Sequence, residues 1–282
     1  MVKSILVPLD PSPYTDMAIQ MAIRIARFNK AHITGLVIID IPGIEKAIGP
    51  VPPGGIYYAE HLEEKKKAEA EKRVNTLLEK FRNACDAAGV AHSEAKNQGS
   101  PSDSILREAI YYDLVLMGLR THFNFESSDE EGDALHNVLN ESITPVYAIP
   151  AQMPLNLEDK EHVKVCIPFD GSLPAARALQ RFAQLIRQDI PHVKLVMSHD
   201  DGNFAREVLD SARTYLHHHD IEHVETEWTV EHIIQKVKND YMEWADAFVV
   251  GAHSKKGILD FMVGSLTREL IQWNQKPVLI GQ

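Results

Sequence analysis

Two stretches in the second half of the chain carry residue types suited to holding an anion. The longer is VVGAHSKKGILDFMVGSLTRELI, residues 249–271, in which Gly251 closes an apolar run and Gly264-Ser265 precedes a helical pattern. Glycines at such places let the chain take positive φ and bring backbone N–H groups close to a ligand. A helix beginning at Ser265 offers unpaired N–H donors and the positive end of a dipole, which together suit phosphate. Two roles are open to Ser265: capping that helix, or bonding a phosphate oxygen. The shorter stretch is Phe169-Asp170-Gly171-Ser172, where a single carboxylate follows an apolar run. Asp170 is either a polar contact for a ligand or the residue that shapes the turn into the next helix, because Asp-Gly-Ser is common turn chemistry.

Other candidates for chemistry are weaker. His217, His218 and His219 adjoin one another, with His199 and His223 further along the chain on either side. Neighbouring residues on a helix point in different directions, so a solvated helix end fits them better than zinc, and no metal site is assigned. Cys85 and Cys166 both fall in apolar patterns and read as buried thiols rather than a disulfide framework. The sequence contains no Walker-type loop, Gly-x-Ser-x-Gly elbow or Cys-x-x-Cys pair. Asp10 and Asp170 each stand alone, without the paired acids of a response-regulator receiver, and no side chain reads as a positioned general base. No catalytic residue is therefore assigned.

Bulk composition narrows the setting. A formal net charge of -11 works against sequence-independent nucleic-acid binding, which needs a positive surface to release counterions. The Lys65–Lys67 run lies among Glu60, Glu63, Glu64 and Glu69, the mixed pattern of a solvated helix face. No apolar run approaches the roughly 18 residues that span a bilayer. The opening MVKSILVPLD is short in apolar residues for a secretory signal and is interrupted by Pro8 and Asp10. A cytoplasmic protein that engages neither membrane nor nucleic acid is expected.

The elements that must position these residues form a duplicated pattern. ILVPLDPSPYTDMAI from Ile5 matches VCIPFDGSLPAARAL from Val165; LVLMG ending at Gly118 matches FVVG ending at Gly251; PVYAIP from Pro145 matches PVLIGQ from Pro277. Three matched segments in one order imply a duplication. Domain one is expected over residues 1–150 and domain two over 162–282, joined by the polar linker AQMPLNLEDKE at 151–161. In the first half strands are expected over 5–9, 32–39, 90–96, 114–117 and 145–149. Met17, Met21, Ile25 and Phe28 make one helical stripe, and Val74, Leu77, Leu78, Phe81 and Cys85 another. The Pro/Gly-rich stretch 41–58 reads as a long loop, a lid or a contact surface; the second half follows the same order with a shorter connection there. This alternation predicts an α/β fold of two tandem domains, each a mostly parallel five-stranded doubly wound sheet. Ligands in such sheets sit outside the carboxyl ends of the strands, which directs attention to the loops after Leu9, Met117, Phe169 and Val250.

The spacing of Gly251, Ser254, Gly264 and Ser265 resembles the loop of the universal stress protein family: Gly, two residues, Gly, nine residues, Gly, then Ser or Thr. Three of the four positions match, with Ser254 where the second glycine is expected. Asp10 and Asp170 at the first strand ends and the closing PVLIG strand carry the resemblance across nearly all of both halves. It implies a Rossmann-like, adenine nucleotide alpha hydrolase-like fold and a role in the stress response. It also implies binding of ATP or a related adenine nucleotide, with Mg2+ as an optional companion. Carried over, Asp170 is the adenosine-side contact, Gly251 lines the nucleotide, and Gly264 and Ser265 hold the phosphates. Val250 and Leu266 supply neighbouring backbone groups. Serine at 254 costs on the order of 1 kcal/mol if positive φ is required there, while His253, Lys255 and Lys256 add donors and positive charge.

Domain one departs further from that pattern. Gly118 matches, Thr121 replaces the second glycine, and Gly132-Asp133 replaces Gly-Ser after one extra residue. Asp129, Glu130, Glu131 and Asp133 put negative charge where phosphates would lie, each repulsive by roughly 1 kcal/mol at close range. Domain one is therefore expected to be structural or protein-binding. The chain as a whole is expected to be a stress-response regulator or adaptor whose second domain senses nucleotide. A slow ATPase or phosphotransferase and a nucleotide-free scaffold stay open beside it. Family members pair through their last strands, which implies pairing of the two domains within the chain, or a homodimer, and an unspecified protein partner.

Overall fold

The computed structural model describes residues 1–52, 54–121, 123, 134–153, 163–186, 191–252 and 264–282. Contacts divide the chain into two compact units, Val2–Ser142 and Ile143–Gln282, the second taking in Met1. Each repeat opens on an apolar strand, β1 (Ser4–Leu9) and its counterpart β6 (Val163–Pro168). Burial on both faces requires such continuous apolar runs in a parallel sheet.

In the first unit β1 pairs in parallel with β2 (His32–Ile39) and β4 (Leu114–Gly118), and β2 with β3 (His92–Gln98). The strand order there is β3-β2-β1-β4. In the second unit the strands are β5 (Val146–Ile149), β6, β7 (Pro191–Ser198), β8 (Val224–Thr229), β9 (Ala247–Gly251) and β10 (Val278–Gly281), in the order β5-β10-β9-β6-β7-β8. All neighbours are parallel except β5 and β10, which run antiparallel with Val146 opposite Ile280 and Ala148 opposite Val278. The closing strand of the first repeat thus packs in the same unit as the closing strand of the second. The expected mostly parallel α/β architecture is what the chain adopts, with β1–β5 from the first repeat and β6–β10 from the second among the described residues.

The amino ends of the strands are built alike in both repeats. Asp113, just before β4, accepts from the backbone N–H groups of Lys3 (2.7 Å) and Ser4 (3.0 Å) with Oδ2. Asp246, just before β9, accepts from Lys164 N–H with Oδ2 at 3.0 Å. One carboxylate in each copy therefore sets the stagger between the first and fourth strands.

Two local expectations are corrected. Residues 41–58 are not one long loop: α2 spans Ile41–Ile48, and α3 begins within the stretch and spans Ile56–Ala88. Asp40 caps α2 by accepting from Gly43 N–H at 3.0 Å, Pro42 sits in the first turn and Gly49 ends it. Proline at a helix start and glycine just past its end are helix punctuation, not helix breakers. The apolar stripe on α1 (Tyr14–Asn29) is also turned. Ala18, Ala22 and Ala26 are buried with Ile19 and Met21, while Phe28 is 50% exposed. Small side chains let this helix lie close on the sheet, so residue size outranks hydrophobicity in choosing the inner face.

Cys85 and Cys166 are free and buried. Burial pushes the Cys85 thiol up to about 11 and Cys166 higher still, away from thiolate chemistry. No helix among the described residues is long and apolar enough to cross a membrane.

Candidate functional site

The carboxyl ends of β9, β6 and β7 floor a cleft of about 320 Å³ in the second unit. Asp170 and the turn behind it come from β6, Val196 and Ser198 from β7, and Val250 and Gly251 from β9. One wall is the start of α9 (Ser265–Trp273), with Gly264, Ser265, Leu266 and Thr267 all on the cleft. Pro174 and Ala175 from the first turn of α6 (Leu173–Leu185) line it as well. His232 and Ile233, where α8 (Ile233–Lys236) begins after β8, complete the set. Six of the seven residues singled out from the sequence, Asp170, Val250, Gly251, Gly264, Ser265 and Leu266, thus meet in one cavity. The seventh, Ser254, lies outside the described residues, as do His253, Lys255 and Lys256.

Asp170 is exposed, and its Oδ1 accepts from Ser172 N–H at 2.9 Å. Gly171 takes φ of +72°, the left-handed conformation that favours glycine, and Ser172 caps α6. The turn role of Asp170 is real, yet it occupies one carboxylate oxygen. No hydrogen bond to Oδ2 occurs among the described residues.

The two loop glycines work differently from the expectation of positive φ. Gly264 has φ of -55° and ψ of 150°, and Gly251 is not among the positive-φ glycines. Gly251 is required for space: a Cβ there would fall 2.6 Å from the carbonyl carbon of Pro174 and 2.8 Å from its oxygen. The first turn of α6 presses directly on the end of β9, and that contact shapes the cleft floor.

The start of α9 is held at the mouth of the cleft. Gly264 N–H donates to Ala252 O (3.2 Å), and the buried Thr267 hydroxyl donates to Gly251 O (3.0 Å). Gly264, not Ser265, occupies the cap position, so no side chain caps the helix. Ser265 is exposed, and its hydroxyl has no hydrogen-bond partner among the described residues. Helix N–H groups left open in this way, beside a free hydroxyl, are an anion-binding arrangement.

Ser198, His232 and Ile233 were not found from the sequence. Ser198 closes β7, and His232 and Ile233 follow β8, in the strand order β6-β7-β8; the sequence expectation covered only the loops after the first and fourth strands of each repeat. Among the described residues no three His, Cys, Asp or Glu side chains converge as metal ligands.

In the first unit the same motif is turned inward. Asp10 is 2% exposed. Its Oδ1 accepts from Ser12 Oγ and lies against Thr15 Oγ1, each at 2.6 Å. Thr15 Oγ1 also accepts from Asp10 N–H at 3.0 Å. Gly118 answers to Gly251, and a Cβ there would fall 2.5 Å from Tyr14 Cβ. Thr121 is buried, whereas Gly132 and the acidic residues Asp129, Glu130, Glu131 and Asp133 lie outside the described residues.

The family described as the universal stress protein family matches residues 1–150 of the chain. No curated protein matches it. Among solved structures, a universal stress protein from Archaeoglobus fulgidus DSM 4304 aligns over 99% of this chain and 98% of its own, with a TM-score of 0.70 and 19% identity. A functionally unknown protein from Pseudomonas aeruginosa PAO1 aligns over 99% of this chain and 92% of its own, with a TM-score of 0.58 and 14% identity. At such identities the likeness is one of fold.

Proposed function

The chain belongs to the universal stress protein family, and from that membership we propose that its second domain binds an adenine nucleotide, ATP or a close relative, in the service of stress-response regulation. The observation that carries this reading is the cleft, which gathers Asp170, Val250, Gly251, Gly264, Ser265 and Leu266 around an uncapped helix start. The phosphates would lie at the open N–H groups of α9, with the Ser265 hydroxyl as a further donor. Val250 and Gly251 would offer backbone along the ligand, and Asp170 would accept from a ribose hydroxyl with the oxygen its turn leaves free. Such a site holds and senses its ligand. Mg2+, where it accompanies the nucleotide, would add charge neutralisation at the phosphates.

Domain one, over residues 1–150, takes a structural or protein-binding role in this proposal, and residues 151–161 link it to domain two at 162–282. Its strand-end aspartate is already engaged by Ser12 and Thr15. Pairing of closing strands within the chain draws support from the antiparallel β5–β10 ladder. The proposed setting is the cytoplasm.

The test is to purify the chain without added nucleotide, identify any retained small molecule by mass spectrometry, and titrate ATP calorimetrically. Binding tighter than about 1 mM, roughly -4 kcal/mol, is expected. Its absence together with no retained nucleotide leaves the scaffold reading. ATP turnover that disappears in a folded Asp170→Ala variant would favour the enzyme reading.

A further inference from the structure

We propose that His232 reads the base of the nucleotide and that Ser198 holds His232 in place; the inference rests on the nucleotide reading of the cleft. The two ends of the cleft differ in chemistry. Strands β9, β6, β7 and β8 lie in that order, with the start of α9 following β9 and His232 following β8. Neighbouring strands are about 4.8 Å apart, so these ends are separated by on the order of 10–15 Å. A nucleotide with its phosphates on α9 and its sugar beside Asp170 carries its base across β7 toward β8. The base is a flat heterocycle with hydrogen-bonding edges, and the far end offers an imidazole beside the aliphatic side chains of Ile233 and Val196.

His232 and Asp170 are the two ionisable side chains among the described residues of the cleft. The imidazole of His232 is uncommitted, with no hydrogen-bond partner among the described residues. Two other histidines of this domain are engaged, His192 with Glu225 (2.9 Å) and His199 with the backbone of Asp201 (3.0 Å).

The chain beside His232, by contrast, is pinned. Ser198 Oγ donates to Glu231 O at 2.7 Å, Glu231 N–H donates to Thr229 Oγ1 at 3.0 Å, and His232 O accepts from Lys236 N–H at 3.1 Å. With the backbone already fixed, only the side-chain torsions of His232 have to be ordered when a ligand engages the ring, which limits the entropy cost. The corresponding helix start in domain one has Ser100 at its cap, beside Ser102 Oγ at 3.2 Å, and so carries no ring.

The experiment is calorimetric titration of the full chain and of His232→Ala, His232→Gln and Ser198→Ala with ATP, GTP and inorganic tripolyphosphate. His232→Ala should weaken ATP about five- to tenfold, the scale of one hydrogen bond with its packing. Its affinity for tripolyphosphate should not change, and any preference for ATP over GTP should fall toward one. His232→Gln, which keeps hydrogen-bonding groups, should recover part of the loss. Ser198→Ala should weaken ATP about two- to threefold, and should add nothing in the His232→Ala background, because coupled residues are not additive. Thermal melts that coincide with the parent show that the variants fold. ATP binding that His232→Ala leaves intact overturns the inference while sparing the nucleotide reading. Equal losses for ATP and tripolyphosphate overturn it too, by placing His232 at the phosphates or in the fold. A parent chain that binds none of the three removes the nucleotide reading and this inference together.

Discussion

Asp10 and Asp170 end the first strand in two copies of one motif, and their surroundings separate at the residue five positions on. In the first copy that residue is Thr15, whose hydroxyl meets both the backbone and the carboxylate of Asp10 and helps hold the group at 2% exposure. In the second it is Ala175, which has no hydroxyl to offer, and Asp170 stays exposed at a cleft. The connections after the second strand diverge in the same region. The first copy inserts α2 and extends α3 to 33 residues. The second passes through His199–Asp201 into α7 (Gly202–His217), with Trp228 Nε1 donating to His199 O at 2.8 Å. At the amino ends, Asp113 and Asp246 do the same job in both copies. Duplication kept the scaffold at one end of the strands and let chemistry drift at the other, where loops tolerate change.

The largest test of that contrast is Thr15→Ala, which strips a partner from a buried carboxylate. It should cost about 3 kcal/mol by urea unfolding, the scale of leaving a buried charged group undersatisfied. A loss under about 1 kcal/mol would mean that Thr15 does not hold Asp10 in place. Next come Gly118→Ala and Gly251→Ala, each driving a methyl into the first turn of the helix that follows the first strand of its repeat, at Tyr14 and Pro174 respectively. About 2 kcal/mol of destabilisation is expected for each, within the range for overpacking. If only one of the two were sensitive, the close contact would not be a property of the shared scaffold.

Ser265→Asp copies into domain two the acid that domain one carries at Asp133. It should weaken ATP at least tenfold, about 1.4 kcal/mol, through repulsion of phosphate. Stability should hold, since an acid suits a helix N-terminus. Unchanged ATP affinity would remove the phosphates from α9.

The smallest effect compares the two caps after the second strand. Burial raises the carboxyl of Asp40 above the ordinary 3.8, against the pull of Gly43 N–H, whereas the N–H groups of Phe204 and Asn203 lower that of Asp201. For Asp201, whose folded pKa is depressed, the contribution to stability is present above pH 3.8 and is lost as pH falls through the lowered value. For Asp40, whose folded pKa is raised, it is greatest below 3.8 and declines as pH rises through the raised value. The stability gap between parent and variant should therefore widen with pH for Asp201→Asn and narrow for Asp40→Asn between about pH 3 and pH 6. Gaps that run parallel would break the contrast.

Local patterns made much of the fold legible. The apolar runs that became β1, β2 and β4 needed no knowledge of their neighbours, and the repeat made each half confirm the other. The inner face of α1 is not legible from hydrophobicity, because Phe28 outweighs alanine on any hydrophobicity scale while a helix lying close on a sheet selects for small side chains. By composition the Pro/Gly-rich stretch reads as a loop, whereas by position Asp40, Pro42 and Gly49 spell out the start and stop of α2. Ser198 and His232 carried no motif, and only the strand order brings them beside Asp170.

The sequence by itself determined the duplication, the α/β alternation and which residues stand at the strand ends, because pleat, helix period and turn chemistry act over a few residues. Only the tertiary structure decided that Asp10 is buried while Asp170 is not, that β5 lies against β10, and that His232 shares a cleft with Ser265. Those outcomes depend on contacts between segments far apart in the chain, where packing space and strand order rather than local propensity set the result.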